Sequence, residues 1–271
     1  MGAALEAVRT VGDARTLPQD GGERAARAEL FQVAAWIAFD AERHGVSRRL
    51  HLRALGLARE GGAPTLEPLV LAVLAMQEEH LRRPLTSLRI ASSVLARDGL
   101  PGRVAAIFHV RAGRALARMG NAPRATRALR TAAELLADRP TDQDPAWAWW
   151  FDRHELDGHH GLARAALGDL DASAALLHDA ARAGGDGGPA YRVLFAAELA
   201  RVQARAGDWR EVDTAMAALV DAVPAVGSVR ALRAMGGATR LVEGGGRVPR
   251  RTRDTSRHLA LALRDTATGG G

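Results

Sequence analysis

What most limits the folds open to this chain is a recurring pair of apolar helical stripes, separated by turn signals at near-constant intervals. Leu30, Ala34, Ile37 and Ala41 step by four, three and four residues, so they share one helical face. Phe31, Ala35 and Ala38 form a second stripe beside it. A helix apolar on two faces packs between neighbours. His44-Gly45 ends this segment, and Leu50, Ala54, Leu57 and Ala58 then mark a second, singly amphipathic helix with Arg48, Arg49, Arg53 and Arg59 mostly outward. The turn-plus-helix unit recurs from Met119, Leu167 and Ala206. A glycine opens each turn (Gly45, Gly120, Gly168, Gly207), and one further turn falls at Arg83-Pro84. The spacings from Gly45 through Arg83, Gly120 and Gly168 to Gly207 are 38, 37, 48 and 39 residues. The long interval contains an insertion, Asp138 to Asp144, rich in Asp, Pro and Thr.

Helix pairs of near-constant length mean a solenoid. The expected fold is all-α, with about five antiparallel helix pairs and a capping helix over Val229 to Val242. Residues 1–22 read as an N-terminal extension, residues 23–242 as the repeat domain, and residues 243–271 as a flexible basic tail. Composition agrees: aromatic residues make up only 4% of the chain, and the apolar positions are overwhelmingly Ala and Leu, both strong helix formers.

Other compositional features narrow the function classes. There is no cysteine, which removes disulfides, thiolate nucleophiles and Cys-type metal sites. The longest apolar run, Leu69 to Met76, is far shorter than a bilayer span, and no signal peptide is visible. The expected compartment is the cytoplasm, without membrane association. Net charge is +6, and all 37 basic residues are Arg. They are interspersed with Asp and Glu except near the end, where Arg247, Arg250, Arg251, Arg253 and Arg257 cluster.

The repeated segments resemble tetratricopeptide repeats in their turn glycine and Ala-Leu second helix. The stretches AAWIAFDAERHG from Ala34, HLRALGLAR from His51 and WFDRHELDGHHG from Trp150 resemble more specifically the tetratricopeptide-like C-terminal region of Xre-type helix-turn-helix transcriptional regulators, common in actinobacteria. The resemblance covers roughly residues 23 to 242, and it implies a sensory, partner-binding or oligomerising role. Family members carry an N-terminal DNA-binding domain; residues 1–22 are too few for one, so no sequence-specific duplex binding is expected from this chain alone.

Counting back from the turns gives a register. Twelve residues before each turn stand Val33, Leu71, Phe108, Leu156 and Phe195, an apolar row expected in the core. Nine residues before stand Trp36, Leu74, Arg111, His159 and Glu198, the last three a polar ladder. Asp152, Glu155 and His159 step by three and four along one helix face, and Tyr191 falls on the same side. Trp147, Trp149 and Trp150 lie one turn upstream. The expected ligand-binding groove is therefore Arg111, Asp152, Glu155, His159, Tyr191 and Glu198, with Trp147 and Trp150 supplying apolar contact. His160 falls eight before its turn, among apolar equivalents, and is expected as a hydrogen-bonded core residue.

Motifs for chemistry are weak. His154-Glu155 with His159-His160 lacks zinc-protease spacing, because the residue four after His154 is Gly158. Asp152, Glu155 and His159 have no second matching set for a metal pair. The glycine-rich stretch Gly184 to Gly188 follows no strand, and no phosphate loop or nucleophile elbow occurs. Neither metal nor cofactor is expected. The favoured reading is a binding or regulatory module that takes a peptide, a protein segment or a small signal molecule, with a homodimer possible. An enzyme using Asp152, Glu155 and His159 as acid and base is one alternative; a DNA-associated regulator using the Arg-rich tail is another.

Overall fold

The computed structural model describes residues 20–137, 142–182 and 191–268, without the side chains of residues 191, 267 and 268. Residues 1–19, most of the Asp138 to Asp144 insertion and the Gly184 to Gly188 stretch lie outside the described residues. Among those described there are twelve α-helices and no strand. No helix among them is long and apolar enough to cross a membrane.

The chain divides into two compact units, residues 1–151 and 152–271, with the boundary just after the insertion, where the sequence suggested a single repeat domain. Unit one holds α1 (Gly21–Asp40), α2 (His44–Glu60), α3 (Leu66–His80), α4 (Pro84–Leu95), α5 (Gly102–Arg118) and α6 (Ala122–Ala137), followed by a 3-10 turn at Ala146–Trp150. Unit two holds α7 (Arg153–Leu167), α8 (Leu170–Arg182), α9 (Tyr191–Ala206), α10 (Trp209–Ala222), α11 (Val229–Glu243) and α12 (Arg250–Thr268). In each unit most consecutive helices pack as hairpins, while α11 packs on α9 rather than on α10.

The hairpin turns share one backbone signature. Glu42, Arg82, Gly120, Gly168, Gly207 and Arg247 all have positive φ, between 54° and 87°. This left-handed residue closes the first helix and lets the chain reverse. Two turns therefore sit earlier than the sequence suggested: Gly45 lies inside α2, and the second turn is at Arg82. Counted from the observed turns, the twelve-before row becomes Leu30, Val70, Phe108, Leu156, Phe195 and Met235. All but the half-buried Leu30 are at most 2% exposed. Val33, expected in that row, is instead 51% exposed, because the true turn places it three positions further round α1.

Arg247 marks a sixth turn at the same period, and the segment expected as a flexible basic tail is largely a packed helix. α12 lies against α10 and α11, with Val248, Thr252, Ser256 and Leu259 buried at helical spacing. Thr252 Oγ1 donates to the Trp209 carbonyl at 3.2 Å and Thr255 Oγ1 to Asp213 Oδ1 at 2.6 Å, while Arg251 pairs with Asp213 at 2.7 Å. The anticipated capping helix, observed as α11, is thus the first half of a final hairpin.

Helix starts follow a common rule. Asp20, Asp152 and Asp208 each accept a hydrogen bond from the backbone N–H three residues on, at Glu23, Glu155 and Glu211. A short carboxylate there satisfies an orphan donor of the first turn and favours the helix dipole.

Unit one also buries a histidine. His51 has no exposed surface, and Ser47 Oγ lies 3.3 Å from its Nδ1. Burial pushes its pKa down to about 4, with a hydrogen bond to Ser47 opposing the shift. The unfolded chain therefore takes up this proton first as pH falls. The His51 contribution is complete above about pH 6.5 and lost as pH drops towards about 4, a loss of about 3 kcal/mol. Urea unfolding at pH 7 and pH 4.5 should show this slope in the wild type and a flatter one in His51→Gln. Equal slopes would contradict it.

Candidate functional site

The residues expected to form a groove divide between the two units and are described within each. In unit one Arg111 is only 4% exposed, and its Nε donates to the Ala72 carbonyl at 3.2 Å. A guanidinium so held is a brace between α3 and α5. Trp147 Nε1 donates to the Thr65 carbonyl at 2.7 Å, and Trp150 packs edge-on against Phe151. Trp149 is the exposed member of the trio, at 73%.

In unit two the structure brings Asp152, Glu155 and His159 together at the start of α7. Asp152 Oδ1 caps α7 by accepting the Glu155 N–H at 2.8 Å. Glu155 and His159 are both buried and pair at 3.0 Å, and the His159 ring stands edge-on to Phe195. Glu198 pairs with Arg201 at 2.7 Å. Tyr191 opens α9, and its side chain lies outside the described residues. His160 is half-buried rather than a satisfied core residue. Its Nε2 finds no hydrogen-bond partner among the described residues, and burial, reinforced by Arg164, lowers its pKa. Arg111, His159 and Glu198 thus each have a partner of their own, and Asp152 is spent on a helix cap.

Unit one offers two features that the sequence reading passed over. One is the outward strip of α1. Ala26, Glu29, Val33 and Trp36 are exposed at intervals of three and four, with Val33 at 51% and Trp36 at 38%. Trp36 packs at 5.9 Å on Phe39, which joins Val73, Met76 and Leu69 of α3 in one apolar cluster. The signal was present in the sequence, but reading Gly45 as the turn counted Val33 into the core.

The other feature is a histidine–carboxylate cluster. Glu42, in the α1–α2 turn, lies 3.0 Å from His80 Nε2 and 3.6 Å from His44 Nε2. One ligand atom from each of the three residues lies within 4.8 Å of the other two. Phe39 flanks both imidazoles, with ring centroids at 5.7 and 5.6 Å. The sequence signal is the Glu42-x-His44 spacing at one turn with His80 closing the next first helix; the two halves are 36 residues apart, so only the hairpin stack joins them.

The basic residues of α12 are partly neutralised, since Arg251 pairs with Asp213 and Arg257 with Asp254. Comparison of the chain with models of known protein families and with curated proteins gives no match.

Proposed function

We propose that the chain is a tetratricopeptide-like helical-repeat binding module, and that the outward strip of α1 takes an apolar-faced peptide or protein segment. The observation that carries this reading is the pair Val33 and Trp36, exposed at 51% and 38% on a helix whose outward strip carries Glu29 as its one charge. A solvated helix face is normally charged, and a clustered apolar strip costs solubility unless something covers it. From Ala26 to Trp36 the strip is about 15 Å long, enough for two to three turns of a partner helix. A tryptophan at its end suits an anchoring contact. The resemblance to the C-terminal region of Xre-type regulators points to the same class of role.

The enzyme alternative has less support. Its intended acid and base, Asp152 and Glu155, are engaged in a helix cap and a buried pair with His159. The DNA-associated alternative loses its isolated basic tail, because part of that charge is paired on α12.

A photo-crosslinking residue at position 36, with a second version at exposed Glu134 as control, tests the reading. Discrete adducts are expected from position 36 alone, competed by unlabelled protein and lost on adding Val33→Glu. An adduct of two copies of this chain would assign the strip to self-association. Equal labelling from both positions would contradict the proposal.

A further inference from the structure

Three observations at the first turn concern the same small volume. Glu42 adopts φ 59°, the left-handed conformation that three later turns give to Gly120, Gly168 and Gly207. A residue with a side chain is held there at a cost, and its carboxylate is 7% exposed between two imidazoles. His44 lacks ordinary hydrogen bonding: Nε2 stands 3.6 Å from Glu42 Oε2, too far for a hydrogen bond, and the buried Nδ1 has no partner among the described residues. Meanwhile Gln77, fully buried on α3, donates to the His44 carbonyl at 2.8 Å and pins the start of α2.

We propose that Glu42, His44 and His80 form a binding site for a zinc-class divalent transition-metal ion. Two imidazoles and one carboxylate are a donor set such ions accept, and the chain has no thiolate to compete. Ligand atoms around a tetrahedral ion with bonds near 2.0–2.2 Å stand about 3.4 Å apart. His80 Nε2 lies 3.0 Å from Glu42 Oε1 and His44 Nε2 lies 3.6 Å from Glu42 Oε2, so each imidazole stands near that edge length from one carboxylate oxygen. The ion would bind His44 at Nε2, which is too far from Glu42 for a hydrogen bond, and tie both imidazoles to the carboxylate. Phe39 supplies the apolar shell beside both rings. His80 is 35% exposed, so the fourth coordination position faces solvent and is open to water or an outside ligand. The inference is independent of the α1 strip, because it rests on the turn and on α3.

The test uses the full chain, without an affinity tag, stripped by chelator and titrated with zinc chloride by calorimetry and with cobalt chloride by visible absorption. One equivalent should bind, with the intense cobalt bands of a low-coordinate site. Glu42→Gln and His80→Ala should each weaken binding by at least about 100-fold, more than the loss of an outer-shell partner causes. His178→Ala, at an exposed histidine of unit two, should leave it unchanged. Zinc should raise the melting temperature of the wild type and not that of the two site variants, whose helical content is checked without metal. If Glu42→Gln fails to fold, His80→Ala at the partly exposed ligand decides the matter. No binding by the wild type at millimolar metal, or binding that survives His80→Ala, would overturn the proposal.

Discussion

Phe195→Ala should destabilise unit two by about 3–5 kcal/mol, and Gly158→Ala should partly compensate when the two are combined. Phe195 is 1% exposed and belongs to the twelve-before row of the core. Its ring lies so close over Gly158 that a Cβ on that glycine would run into the ring atoms. Glycine at 158 is therefore what lets α9 seat an aromatic ring against α7. On its own, Gly158→Ala should cost about 1–3 kcal/mol by overpacking, although alanine is otherwise the better helix former. In the double variant the new methyl enters space the ring has left. The double-mutant cycle should then show at least about 1 kcal/mol of favourable coupling in urea unfolding. Additive losses would mean that the two helices do not meet in this way.

The second large effect is expected at Glu79. Its side chain is 5% exposed, with Oε2 accepting from Arg114 at 2.8 Å and Oε1 from Arg118 at 2.7 Å. Burial alone would raise its pKa, but the two guanidinium groups outweigh burial and hold it at about 2. The folded value lies below the ordinary 4.5, so this contribution is complete above about pH 4.5 and lost as pH falls through about 2. Glu79→Gln should cost about 3 kcal/mol at neutral pH by removing a buried charge that both Arg114, itself 12% exposed, and Arg118 pair with. Arg118 is 43% exposed and can turn to water, which keeps the loss at the lower end of the range for broken buried pairs. Urea unfolding at pH 7 and pH 3 measures both parts. A loss below about 1 kcal/mol, or an unchanged acid slope, would contradict the account.

Much of the hairpin pattern could be read from the sequence because Ala and Leu at intervals of three and four mark a packed helix whatever lies around it. Three turns could be read from their glycines. The first two were misplaced because Glu42 and Arg82 occupy the left-handed position, and nothing in those side chains announces it. The final hairpin was missed for a related reason: α12 buries Thr252 and Ser256 through hydroxyl groups and surrounds them with Arg, so its inner face does not read as apolar.

The expected groove rests on an ambiguity of spacing. An aspartate and a glutamate three apart share a helix face, and they are equally the pattern of a helix start. Asp20 with Glu23 and Asp208 with Glu211 repeat that pattern at two other helices. Burial of Arg111 and His159 depends on which neighbouring helix covers them, which the chain's own periodicity does not record. Glu42, His44 and His80 come together only through the turn geometry and the α1–α3 packing.

Whether the α1 strip or the polar ladder is the contact surface is decided by two double variants in one binding assay. The partner segment identified through position 36 is titrated against the wild type, Val33→Glu with Trp36→Glu, and Arg111→Ala with Glu198→Ala. The strip variant should lose binding by at least about 100-fold while keeping its melting temperature, as two anchor truncations of about 1.4 kcal/mol each already give that factor. The ladder variant should be less stable, because Arg111 braces the Ala72 carbonyl, and should bind normally once folded. Loss of binding in the ladder variant at unchanged stability, with the strip variant binding as the wild type does, would contradict the proposed role of the strip.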